Sequence, residues 1–116
     1  MNPQPKFPYI RSKALLEACR YLSCQHCDIE DGTVVAAHSN QSRHGKGRSI
    51  KASDVYVAAL CSGCHYIVDQ GLYDSREERQ RIWTDAWTKT VTQLVQLDWW
   101  PSGIPVPDTT DTSEEI

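Results

Sequence analysis

Four cysteines stand in two pairs of the same spacing, Cys24-Gln25-His26-Cys27 and Cys61-Ser62-Gly63-Cys64, separated by 33 residues. A two-residue spacer lets two thiolates grip one ion from a tight turn. Two such turns complete a closed tetrahedral site of the structural zinc type, with no position open for a reactant. His65 directly follows Cys64 and is a rival fourth ligand. A fifth cysteine, Cys19, falls on the apolar face of a helical pattern and is expected in the core.

Between the pairs lie residues of a different chemistry. His38 ends a β-branched, apolar run, and Ser39 and Asn40 follow it. A neutral imidazole can take a proton near pH 7. Arg43, His44, Lys46, Arg48 and Lys51 then fall within nine residues that contain no acid. Gly45-Lys46-Gly47 permits close backbone approach to a phosphate. His65 and Asp69 are four apart, on one face of a helix. They can hold one cation, and the carboxylate oxygen favours Mg²⁺ or Mn²⁺.

These residues need elements to position them. Ser12 is placed to cap a helix over 13–22. Thr33–His38 and Asp54–Leu60 read as short strands, joined by a long polar loop over 39–53. A short helix runs from the second cysteine pair to about Gln70 and stops at Gly71. Ser75-Arg76-Glu77-Glu78 matches a capping box and opens a helix of about twenty residues. Its inner face is read as Ile82, Trp83, Ala86, Trp87, Val91, Leu94 and Val95. Trp83 and Trp87 are then core residues. Trp99 and Trp100 fold back on that helix or form a homodimer contact or a stacking platform.

The chain is divided accordingly into an extended arm over 1–11, one zinc-binding domain over 12–98, and a Trp- and Pro-rich extension over 99–116 with an acidic, disordered tail. At 116 residues, with 40% hydrophobic content, the core is modest and a metal staple is worth having. No apolar run spans a membrane and no signal peptide is visible. The expected location is the cytoplasm, where cysteines bind metal more often than they form disulfides. Net charge is −3, which excludes a generally basic coat. Yet residues 1–53 carry +4 and residues 54–116 carry −7. A local basic surface for an anionic partner is expected.

One combination narrows the reading further: a cysteine knuckle, a strand ending in His38, a loop and strand, and then Leu60-Cys61-Ser62-Gly63-Cys64-His65. This resembles the HNH, or ββα-metal, endonucleases built on a zinc-bound treble clef. Ala37-His38-Ser39-Asn40, Gly45-Lys46-Gly47 and Lys51-Ala52-Ser53-Asp54 look more narrowly like small prophage-encoded nucleases of the YbcO type. The likeness covers residues 19–71.

The resemblance implies an α+β fold and hydrolysis of DNA phosphodiesters; a phosphate-binding loop and a base do not distinguish the sugar, so RNA stays open as a partner. The resemblance makes His38 the general base, His65 a ligand of the catalytic divalent ion (Mg²⁺, Mn²⁺ or Zn²⁺), and Asp69 a second ligand. Asp54 or Asn40 would orient the base, and Arg43, Lys46, Arg48 and Lys51 would bind phosphates. One position departs from the pattern: many members carry a ligand just before the base, where this chain has Ala37. Either water replaces that ligand, or His38 is itself a ligand. A third possibility is a non-catalytic DNA-binding or protein-interaction module.

Overall fold

The computed structural model describes residues 9–47, 50–71 and 74–109. The chain is α+β, with three α-helices and a two-stranded antiparallel sheet among the described residues. Of the terminal segments read from sequence, residues 1–8 and 110–116 lie outside the described residues.

Helix α1 spans Lys13–Cys19. The Ser12 hydroxyl accepts from the Leu15 amide at 3.1 Å, which satisfies one of the donors a helix start leaves open. The expected helix runs to Leu22. The chain instead tightens after Cys19 into i to i−3 hydrogen bonds at Arg20, Tyr21 and Leu22, which draws it in toward the first knuckle.

Strand β1 (Val35–His38) pairs with β2 (Val57–Leu60), with Val35 opposite Leu60 and His38 opposite Val57. Both strands are shorter than the sequence suggests. Thr33 is held outside the ladder by Asp31, and its hydroxyl accepts from the Ser62 amide. Asp54 sits in a turn closed by the Tyr56 amide on the Ser53 carbonyl. The loop between the strands contains a 3₁₀ turn at Ser42–His44 and a small bridge between Gly47 and Ile50.

Helix α2 (Ser62–Gln70) ends at Gly71, as read from sequence. A side chain there would press against the Ile67 carbonyl, since a Cβ would stand 2.5 Å from its oxygen. Helix α3 (Arg76–Gln96) opens on Ser75, whose hydroxyl accepts from the Glu78 amide. It buries Trp83, Ala86, Trp87, Thr90, Val91 and Leu94, while Val95, expected on that face, stays exposed.

This helix covers the open edge of β2, all four of whose residues are buried. An unpaired strand edge invites aggregation. Here the Ala59 amide donates to the Thr90 hydroxyl at 3.0 Å, which in turn donates to the Ala86 carbonyl at 2.7 Å. The indole N–H groups of Trp83 and Trp87 donate to the carbonyls of Ala37 and Val55. Each large apolar body is therefore buried with its polar atom satisfied.

Asp98 takes a left-handed conformation after the helix, and the Trp99 amide reaches back to the Leu94 carbonyl. That is a Schellman-type stop. Trp100 packs against the core and its indole N–H donates forward to the Ile104 carbonyl, whereas Trp99 remains exposed. Among the described residues no helix is long and apolar enough to cross a membrane.

Candidate functional site

The hairpin has two ends, and each gathers one of the two chemistries. At the Val35–Leu60 end, the sulfur atoms of Cys24, Cys27, Cys61 and Cys64 all lie within 4.8 Å of one another. Four thiolates at about 2.3 Å from a tetrahedral ion stand about 3.8 Å apart. The Cys27 and Cys61 sulfurs are 3.7 Å apart, so the cluster fits one zinc ion with little adjustment.

The backbone shapes the cluster. The Cys27 amide points at the Cys24 sulfur from 3.4 Å, and the Gln25 amide ties the first knuckle to the Ala59 carbonyl of β2. Burial raises the Cys24 thiol, but backbone amides from Cys27, Cys61 and His26 outweigh it and bring it down to about 7. Burial pushes Cys64 the other way. One thiolate forms readily among its neighbours, and further charge needs a cation. Cys19 is fully buried in the core, and its thiol is pushed up to about 12 by that burial. His26 is exposed.

At the His38–Val57 end, the side chain of Asp54 is 3% exposed and receives three groups. His38 Nε2 lies 2.7 Å from Oδ1, and the Ser12 amide donates to Oδ2 at 2.7 Å. Arg11 Nη1 stands 3.6 Å from Oδ1. A carboxylate can only accept, so His38 Nε2 carries the proton. In the neutral ring Nδ1 is then left as an acceptor. Between the two orienting residues suggested by the resemblance, the hydrogen bond to His38 belongs to Asp54.

Asn40 serves elsewhere. Its amide donates to Asp69 Oδ1 at 2.9 Å, and His65 Nε2 lies 3.2 Å from Asp69 Oδ2. Helix α2 starts at the cysteine end and runs back along the hairpin, so its last turn meets the chain leaving β1. Two cis ligands of an octahedral ion at about 2.1 Å are about 3 Å apart. The His65–Asp69 separation is compatible with one shared cation. No hydrogen bond or ion pair among the described residues joins this group to the His38–Asp54 pair. Ala37 is buried beneath Trp83, with only a methyl group to offer.

The loop cations are distributed differently from one another. Arg43 and Lys51 are exposed, and Arg43 Nε is held by the Gln41 side chain. Lys46 reaches the Gly47 carbonyl at 3.3 Å. Arg48 lies outside the described residues. His44, read from sequence as one more cation of the loop, is instead buried. It stacks on Tyr56 at 4.3 Å between ring centroids and packs beside Trp83 and Trp87. Its Nδ1 is 2.7 Å from the Ser39 hydroxyl. Burial, with a contribution from Arg43, holds His44 down at about 4.

Three arginines not expected from the sequence motifs stand beside these groups. Arg11, assigned to the arm, clamps the loop through the Lys51 and Ala52 carbonyls. Arg76 and Arg79 line a cavity with Asn40 and Asp69. Their signal is present in the sequence: cations in the first turn of a helix oppose its dipole. Compared with known protein families, curated proteins and solved structures, the chain matches none.

Proposed function

We propose that this chain is a metal-dependent endonuclease of the HNH type, hydrolysing DNA phosphodiesters on a zinc-stapled treble clef. The observation that carries the reading is the His38–Asp54 hydrogen bond of 2.7 Å, set where the chain leaves β1 for the Asn40–Asp69 contact. Asp54 fixes the imidazole ring and leaves Nδ1 to accept a proton from water. The water oxygen attacks phosphorus in line, and the bond to the 3′ oxygen breaks. The imidazolium that forms lies against a carboxylate.

A divalent cation held by His65 and Asp69 would supply positive charge for the leaving oxygen. Arg43, Lys46 and Lys51 would contact backbone phosphates, with Arg48 on the same loop; such contacts position a duplex without reading its sequence. The same resemblance suggests a prophage origin.

The test is plasmid nicking by zinc-loaded protein with added Mg²⁺ or Mn²⁺, beside His38→Ala purified identically. Loss of the base should slow nicking by about 10²- to 10⁴-fold, with zinc content unchanged. Equal nicking by both proteins would sink the assignment. A second reading, a non-catalytic DNA-binding module, is favoured by Ala37, which puts a buried methyl where many HNH enzymes carry a ligand. It expects salt-sensitive DNA binding and no cleavage with any divalent ion.

A further inference from the structure

Arg76 and Arg79 are three residues apart and share a face of α3. They line a cavity of about 260 Å³ together with Asn40 and Gln41 from the exit of β1 and Asp69 from α2. Neither arginine takes part in an ion pair among the described residues. The Nε of Arg79 is buried and meets no acceptor among them.

This is not for want of carboxylates, since residues 54–116 carry eleven acids against four bases. Arg81, exposed like Arg76 while Arg79 is half-buried, does pair, with Glu78 at 3.0 Å. Asp69, the acid in the cavity wall, is already engaged by Asn40 and His65. A buried donor without a partner costs free energy that an incoming acceptor recovers. Two guanidinium forks beside carboxamide donors suit the two unesterified oxygens of a phosphodiester.

We infer that this cavity seats a phosphodiester of the nucleic acid, gripped by Arg76 and Arg79 beside the His65–Asp69 pair. The inference rests on the nuclease reading for the source of the phosphate. The chemistry of the seat is independent of it, because inorganic phosphate would make the same contacts. The seat is distinct from the glycine-flanked loop, and it places the bound group next to the candidate cation ligands.

The test is fluorescence anisotropy with a short DNA duplex and zinc-loaded protein, without added divalent ions, across a salt series. Replacing both arginines (R76Q/R79Q) should weaken binding by about 10- to 100-fold. It should also flatten the slope of log K against log salt by about 0.9, the share of one neutralised phosphate. Lys89→Gln, at an exposed position on the same helix, should change neither.

Arg79→Met should bind DNA more weakly while its Tm stays level or rises, because a buried donor without a partner has been removed. Unchanged affinity and slope in R76Q/R79Q would overturn the seat. So would a Tm that falls together with affinity in both Arg79 variants, which marks a structural arginine. If the wild type binds no duplex, the nuclease reading fails and ³¹P NMR with inorganic phosphate decides the seat. Binding by the wild type that is lost in R76Q/R79Q sustains it, and no binding by either overturns it.

Discussion

The two ends of the β1–β2 hairpin are built on opposite principles. At the cysteine end four identical soft donors converge within 4.8 Å, and one ion satisfies all of them. At the histidine end imidazoles, a carboxamide and an arginine gather around two separate carboxylates, Asp54 and Asp69. Two guanidiniums at the cavity beyond have no ion-pair partner among the described residues. The first arrangement is closed and complete once zinc is bound. The second is partly open and holds donors and acceptors in reserve. A site that only needs to hold can be made of one residue type. A site that binds and reacts needs groups whose neighbours assign them different tasks.

The largest expected effect tests whether the cysteine end is a staple at all. Structural zinc contributes about 10–16 kcal/mol in small domains, as much as the whole net stability of a typical domain, about 5–15 kcal/mol. Stripping the ion with a chelator, or replacing Cys61 with Ser, should abolish cooperative unfolding by circular dichroism. Readdition of zinc should restore the first protein and not the second. A chelated protein that still melted cooperatively near its original Tm would reduce the four thiols to ordinary core packing and erase the contrast.

The next effect separates two imidazoles at the histidine end. His38 has a carboxylate partner and a side chain 17% exposed; His44 has a hydroxyl partner and an aromatic wall and is 6% exposed. The folded state holds His44 at about 4, below its ordinary value of 6.5. As pH falls below 6.5, the unfolded chain takes up a proton that the folded chain refuses, so stability is lost toward pH 4. Between about pH 7 and pH 5 this amounts to about 2 kcal/mol. Denaturant melts at the two pH values should show a loss smaller by that amount in His44→Phe than in the wild type. Other acid-labile groups, the four clustered cysteines included, act on both proteins. An identical loss in both would mean that the folded protein admits the proton at His44.

Legibility in the sequence follows the same division. The cysteine end is visible because a fixed spacing encodes its geometry, and α3 is visible because Ser75 and the apolar period encode its start and its face. The roles at the histidine end are set by partners remote in sequence. His38 meets Asp54 across the loop, Asn40 meets Asp69 across 29 residues, and Arg11 clamps carbonyls 40 and 41 residues away. His44 lies among cations in the sequence and against Tyr56 in the fold. No local pattern distinguishes it from a surface residue. Both strands stop short of their sequence pattern because Thr33 and Asp54, although their neighbours suit a ladder, have side chains held by contacts outside it.

Thr90 holds α3 on the edge of β2 beside the cysteine end, and nothing in the helical pattern marks it, since a polar residue on an apolar face reads as a weak position. Its hydroxyl is the acceptor for the Ala59 amide, and the Ala59 carbonyl holds the Gln25 amide of the first zinc knuckle. Thr90→Val keeps the shape and leaves a buried amide without a partner, at a cost of about 1–2 kcal/mol. In a domain of this size that lowers Tm by about 4 °C per kcal/mol. Thr90→Ser keeps the acceptor and loses only a methyl, so it should fall less than Thr90→Val. If the order were reversed, packing rather than the hydrogen bond would hold α3 on the strand edge. With the expected order, the nicking that the nuclease proposal expects should be unchanged in Thr90→Val well below Tm, because the defect lies at the strand edge beside the cysteine end and leaves the His38–Asp54 contact intact.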